Sequence, residues 1–142
     1  MPDYRGSMAQ LNMLRSGVKQ ENPNVGNELS VLDKKSFQLY QEKKYDDAIA
    51  ALEKMIAINP SSKPGYLNNI ALCYEGLNKN SKAKDTYSEV IKLDNKNINS
   101  MNGLASILLK EGKKSEAKDL YRKILLVNPD DGNAISKLDS LK

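Results

Sequence analysis

Two pairs of adjacent carboxylates are the residues of this chain best suited to acid–base or metal chemistry, namely Asp46-Asp47 and Asp130-Asp131. Each pair stands at the start of a predicted helix, where the helix dipole stabilises negative charge, so capping explains both pairs. The 142 residues include no histidine, the commonest general base and metal ligand, and no glycine-rich phosphate loop. We therefore expect no enzyme active site, no metal and no cofactor.

The only cysteine, Cys73, lies between Leu72 and Tyr74 in a predicted helix. A thiol among apolar neighbours packs as a small hydrophobe, so we expect Cys73 to be buried and unreactive. A single cysteine also rules out a disulfide within the chain.

Asparagines are the second group of side chains with recognisable chemistry. Asn68 and Asn102 are 34 residues apart, and Asn69 and Asn99 lie close to them in sequence. An amide offers two donors and an acceptor, so it can hydrogen-bond a peptide backbone whatever that peptide's side chains are. The chain contains 15 asparagines, so a chance register is the alternative interpretation.

The helices that must position these side chains recur along the chain. Ala48, Ala83 and Ala117 are 35 and 34 residues apart, and apolar residues follow each of them at helical spacing. Each copy ends at Asn-Pro or Asp-Asn, which stops a helix. A further predicted helix precedes the second and third copies, with Ala71 and Ala105 at matching places. Small residues at matching places indicate where two helices cross closely.

This pattern resembles the tetratricopeptide repeat family, with three helix-turn-helix units at residues 29–62, 64–97 and 98–131. The resemblance implies an all-α fold, a right-handed α-solenoid in which the first helix of each unit lines a concave groove. In the first unit Lys35 stands where the others have Ile70 and Leu104. Either its first helix is half exposed at the end of the stack, or the N-terminal segment covers it differently.

The segments on either side of the repeats carry separate predictions. Residues 132–142 predict a capping helix, with Asp130 or Asp131 as N-cap and an apolar face. That face consists of Ala134, Ile135, Leu138 and Leu141.

We expect residues 1–28 to form a separate N-terminal segment, in which 1–7 are disordered, 8–20 are disordered or become helical with a partner, and 21–27 are a linker. Residues 6–8, Gly-Ser-Met, resemble a cloning scar, which predicts that 1–8 derive from a tag. Residues 1–19 show no signal peptide, and no compartment is predicted.

Beside the apolar core stripe, each first helix carries a second stripe at i, i+4 and i+7, which projects as one row. These rows, with two adjacent asparagines, are Asp33, Phe37 and Tyr40; Asn68, Asn69, Leu72 and Glu75; and Asn99, Asn102, Ser106 and Leu109. Many members of the family bind peptides in the groove, so the resemblance implies a non-catalytic module with a protein or peptide partner. The alternatives are a groove filled by the N-terminal segment or by a second copy, and a scaffold that self-associates as a homo-oligomer.

Two subtypes of the family can be compared residue by residue. Chaperone-binding members hold a client's C-terminal carboxylate with a clamp of Lys, Asn and Arg, and Asn69 matches the clamp asparagine. Asp33 and Phe37 replace a lysine and an asparagine of that clamp, and Asn99 and Gly103 replace two basic residues. An acid facing a carboxylate is repulsive, so we expect no such clamp. Bacterial secretion chaperones also have three repeats in a chain near this size and remain the second interpretation.

The net charge of +4 invites a nucleic-acid partner, but the excess is spread thinly, and 19 of the 22 basic residues are lysine. Lysine lacks the planar fork that binds phosphate and guanine bidentately. We expect no nucleic-acid partner. No apolar run approaches the length of a membrane span, so we expect no direct membrane insertion.

Overall fold

The computed structural model describes residues 24–142, and all regular structure in this part of the chain is helical. A single 3-10 turn, Pro60–Ser62, precedes the third helix. The helices are α1 (Val25–Gln41), α2 (Tyr45–Ile58), α3 (Lys63–Gly76), α4 (Asn80–Leu93), α5 (Ile98–Lys110), α6 (Lys114–Val127) and α7 (Gly132–Ser140).

The helices form three hairpins, α1–α2, α3–α4 and α5–α6, followed by α7. Each helix packs against its neighbours in sequence, and α3 also contacts α5, the first helix of the next hairpin. Contacts between neighbouring units are the mark of a solenoid, in which each unit buries its apolar face against the next. The predicted all-α solenoid is confirmed.

Alanines occupy the points where these helices meet. Ala83 and Ala117 on second helices, and Ala71 and Ala105 on first helices, have no exposed surface. Ala48 in α2 is equally buried. A methyl side chain lets two helix axes approach to the usual separation of roughly 8–10 Å. The helical register that the repeat predicts is therefore confirmed at all five positions.

The first unit begins earlier than predicted. Residues 25–28, assigned to the N-terminal segment, form the first turn of α1, where the Glu28 amide donates to the Asn24 carbonyl at 2.8 Å. Glu28 lies near the helix N-terminus, where negative charge is favourable. Lys35 is exposed and Ser36 is the one buried residue of α1, which agrees with the half-exposed alternative, and coverage by the N-terminal segment lies outside the described residues. The predictions for residues 1–7 and 8–20 lie outside the described residues.

Residues Gly132–Ser140 form the last helix, α7, at the place of the predicted capping helix. The Ala134 amide donates to the Asp131 carboxylate at 2.9 Å, so Asp131 is the N-cap. Ala134, Leu138 and Leu141 pack against the core, but Ile135 is half exposed. Successive residues of a helix are rotated by about 100°, so Ile135 lies at the edge of the apolar face of α7 and keeps part of its surface in solvent.

Each hairpin turns through a residue in the left-handed conformation at the same place in the repeat. These residues are Lys43, Asn78 and Gly112, with φ of 61°, 59° and 78°. The next amide donates back into the helix, for example from Lys44 to the Leu39 carbonyl at 2.8 Å. This geometry ends a helix well, but a side chain with a Cβ is strained in it.

Exchanging residues at this turn should change stability in opposite directions. Gly112→Ala should lower the free energy of unfolding by roughly 1–2 kcal/mol, because alanine is strained at positive φ. Lys43→Gly relieves that strain, so it should raise the free energy of unfolding, by less because glycine also increases the entropy of the unfolded chain. Urea denaturation measures both values, and a loss of stability in Lys43→Gly would contradict the turn geometry.

Two tyrosines of second helices, Tyr45 in α2 and Tyr87 in α4, pack against a glycine of the next first helix. A Cβ built on Gly103 would lie 2.4 Å from Cζ of Tyr87, and one on Gly76 would lie 2.3 Å from Cζ of Tyr45. Both distances are far below contact distance, so only glycine leaves room for the hydroxyl end of each ring at the helix backbone. The absence of a side chain thus decides how α3 and α5 approach their neighbours.

Gly103→Ala should force the Tyr87 ring to move and should cost on the order of 1–3 kcal/mol, the usual range for overpacking. Gly65 provides the matched control, because nothing lies within 4 Å of a Cβ placed there. Gly65→Ala should leave stability unchanged or raise it slightly. Equal unfolding midpoints for the two variants in thermal denaturation would show that the Tyr87 ring does not lie against Gly103.

Candidate functional site

A pocket of about 240 Å³ opens between α1, α2 and α3. Its lining residues are Asp33, Ser36, Phe37, Tyr40, Leu52, Asn69, Leu72 and Cys73. Five of the eleven predicted site residues are therefore brought together: Asp33, Phe37, Tyr40, Asn69 and Leu72. The structure places them on the first helices of the first two units, as predicted for the groove.

Apolar side chains at the mouth of the pocket are exposed. Phe37 is 63% exposed, and Tyr40 and Leu72 also present surface to solvent. Phe37 and Tyr40 lie one turn apart on α1, because residues three and four apart share a helix face. Burying such a side chain against a ligand is favourable by about 25 cal/mol per Å² of apolar area.

The floor of the pocket consists of residues that the sequence did not single out for this role. Leu52 and Cys73 are core residues of α2 and α3, and Ser36 is buried in α1. Ser36 stands at the place that Ala71 and Ala105 occupy in the later units. Its small size at this place was the signal in the sequence that could have indicated its burial. Its hydroxyl donates to the Asp33 carbonyl at 2.9 Å and so needs no partner in the pocket.

Cys73 is an apolar part of this floor and is unsuited to nucleophilic chemistry. The side chain is buried, as predicted, and burial raises the pKa of its thiol to about 11. A thiol is a nucleophile only when deprotonated, so Cys73 is unreactive at neutral pH.

An aromatic contact orients the edge of the pocket. The rings of Tyr40 and Tyr45 meet edge to face, with centroids 5.5 Å apart and planes at 70°. Such pairs contribute about 0.5–1.5 kcal/mol beyond their burial. Tyr45 is itself packed against Gly76, so the Tyr40 ring rests on a side chain that is held between α2 and α3.

The acidic residues of the site differ in how they are used. Asp33 lines the pocket and is exposed. Glu75 instead accepts a short hydrogen bond from the hydroxyl of Tyr87, the ring that lies against Gly103. Burial raises the pKa of Tyr87, and the hydrogen bond to Glu75 raises it further, so the phenol keeps its proton and remains the donor. Asp33 is thus the carboxylate that the pocket offers to a ligand.

The paired asparagines make contacts within the fold. The Ser100 hydroxyl donates to Oδ1 of Asn68 at 2.9 Å, and Nδ2 of Asn133 donates to Oδ1 of Asn102 at 3.0 Å. The first hydrogen bond joins α3 to α5, and the second joins α5 to α7. Their predicted role in holding a peptide stays a prediction, with only the amide nitrogens as remaining donors.

The other predicted site residues lie on α5, outside the pocket. Asn99 and Ser106 are exposed. Leu109 is partly buried and packs against the core formed by α5, α6 and α7. The apolar part of the site is therefore concentrated in the first two units.

Within residues 24–142 no cluster of three or more His, Cys, Asp or Glu could hold a metal ion. In the same part of the chain, no helix combines the length and apolar character needed to cross a membrane.

Comparison with known proteins identifies the fold at the level of both sequence and structure. Two tetratricopeptide repeat profiles match the sequence, one over residues 39–99 and the other over residues 98–131. A search of curated protein sequences gives no significant match.

Several solved structures share the fold at low sequence identity. The first TPR domain of Spaghetti (RPAP3), bound to the HSP90 peptide SRMEEVD, is 23% identical with a TM-score of 0.69, over 81% of this chain and 93% of that one. The second TPR domain of human RPAP3, with the HSP70 peptide SGPTIEEVD, is 21% identical with a TM-score of 0.67, over 82% and 97%. The Yersinia enterocolitica type III secretion chaperone SycD, with a peptide of the translocator YopD, is 17% identical with a TM-score of 0.68, over 85% and 94%.

The two profiles together span residues 39–131, which include both helices of the second and third units and the second helix of the first. The phased alanines, the recurrent left-handed turns and the stacked hairpins agree with them. The chain belongs to the tetratricopeptide repeat family.

Proposed function

We propose that this chain is a non-catalytic protein-interaction module that binds a segment of a partner protein in the groove formed by α1, α3 and α5. The observation that carries the proposal is the pocket beside Phe37, whose ring is largely exposed although the fold does not need it there. A module of this kind acts as a scaffold or adaptor, because its effect is to hold another chain.

The solved relatives support a peptide as the ligand. The RPAP3 domains and SycD are described with peptides of HSP90, HSP70 and YopD. At this level of identity these structures indicate what kind of ligand the fold can bind. The ligand of this chain must be inferred from the residues of its own pocket.

The pocket favours an apolar side chain with a basic residue next to it. Phe37, Tyr40 and Leu72 provide the apolar contact, and Asp33 provides a carboxylate at the same pocket. Two unit charges about 4 Å apart interact by roughly 1 kcal/mol in water and by more in a partly desolvated groove. The same carboxylate repels a peptide's C-terminal carboxylate, which argues against a chaperone-tail clamp. The Tyr87 ring against Gly103 further leaves no room for a clamp arginine at that position.

A secretion-type chaperone is the second candidate. It is favoured by the match to SycD, which extends over 94% of that protein. This candidate predicts a client segment in the same groove, so it differs from the first in the partner and not in the site.

Variants of α1 test the site. Phe37→Ser should weaken binding of a peptide selected from a random 12-residue display library by roughly 10- to 150-fold, since burying a large apolar side chain contributes about 1.5–3 kcal/mol. Asp33→Asn should weaken binding less, and the difference from wild type should shrink as salt rises. Fluorescence anisotropy of the labelled peptide measures the dissociation constants.

Val31→Ser is the matched control, because Val31 is an exposed apolar residue of α1 that does not line the pocket. It should bind as wild type does. If Phe37→Ser binds as tightly as Val31→Ser, the peptide site lies elsewhere on the protein.

A further inference from the structure

A second set of exposed apolar side chains lies away from the groove, where α4 and α6 end. Leu126 is 84% exposed, and Leu93 and Val127 also present surface to solvent. A cleft of about 370 Å³ opens beside them, between the end of α6 and the connection from α4 to α5. Its lining residues are Asn95, Lys96, Lys123, Leu126 and Val127.

The repeat itself shows that the fold does not require a leucine at position 126. Leu126 follows Ala117 by nine residues, and the equivalent positions after Ala48 and Ala83 hold Ala57 and Lys92. All three side chains are exposed. Leu126 and Val127 line the same cleft, so they are a group of exposed apolar side chains and not one scattered residue, and such a group points to contact with another molecule.

The charge at the cleft is opposite to that of the pocket beside Phe37. Lys96 and Lys123 line it, and neither forms an ion pair with another residue between 24 and 142. Asp94, the acid nearest to Lys96 in sequence, is held by its own loop, where it accepts from the Lys96 amide and from Nδ2 of Asn97. The cleft therefore offers apolar surface beside two lysines that have no ion-pair partner among residues 24–142.

We propose that this cleft is a second protein-interaction site, which takes an apolar side chain from a partner segment that carries Asp or Glu beside it. A concave cleft matches a single side chain and its neighbours. A flat anionic bilayer would gain only about 1 kcal/mol from each of two lysines, which is too little for stable attachment. The cleft is lined by α6 and by the connection from α4 to α5, whereas the groove is formed by α1, α3 and α5, so both sites can be occupied at once. Two sites of opposite preference would let the chain bridge two partners.

An array of 12-residue peptides tests this site. Each peptide has a central Leu, Ile, Phe or Met flanked by Asp and Glu, by Lys and Arg, or by Ser. Wild type should bind the acidic apolar peptides, and raising the salt concentration should weaken binding. Leu126→Ser should weaken binding at least tenfold, and Lys123→Glu should shift the preference toward basic peptides. Leu126 is so exposed that its replacement leaves folding intact, which circular dichroism checks.

Phe37→Ser separates this proposal from the function proposed above, because it should reduce binding of basic apolar peptides and leave binding of acidic ones unchanged. The second site is refuted if acidic peptides show no preference, or if Phe37→Ser and not Leu126→Ser removes their binding. It is also refuted if Leu126 is needed for sedimentation with phosphatidylserine vesicles or for dimers in light scattering, while no peptide binds.

Discussion

The close approach of helices at fully buried alanines is the constraint on which the rest of this structure depends. Ala83 and Ala117 lie in second helices, and Ala71 and Ala105 lie in first helices. A side chain larger than a methyl group would push the two helices apart at these positions. The alanines therefore fix the distance between helix axes. That distance decides which residues of α1 and α3 meet at one pocket, and so links the packing of the repeat to its binding surface.

Much of this architecture could be predicted from the sequence, because the same contact is made in successive units and leaves the same residues at the same spacing. The helix ends, the N-cap Asp131 and the buried thiol of Cys73 follow from local rules that need no knowledge of the stack. The start of α1 was missed because residues 25–27 have the composition of a linker.

The candidate site was predicted in part, and the limit has a physical cause. Periodicity says which face of a helix a residue occupies, so Phe37, Tyr40 and Leu72 could be placed at the groove. It says nothing of contacts between side chains distant in sequence. The hydrogen bonds from Ser100 to Asn68 and from Tyr87 to Glu75 therefore appeared only in the structure. Asn68 and Glu75, which the sequence placed at the groove, thus also make hydrogen bonds between helices of the fold.

The most direct measurement of this account is the free energy of unfolding of Ala83→Leu, compared with that of Ala50→Leu. Both make the same chemical change, but Ala83 is fully buried at a helix contact and Ala50 is exposed. Urea denaturation should show a loss of about 1–3 kcal/mol for Ala83→Leu and a change within roughly 0.5 kcal/mol for Ala50→Leu. Equal stability of the two variants would mean that the helices do not meet at Ala83, and the groove described here would have no support.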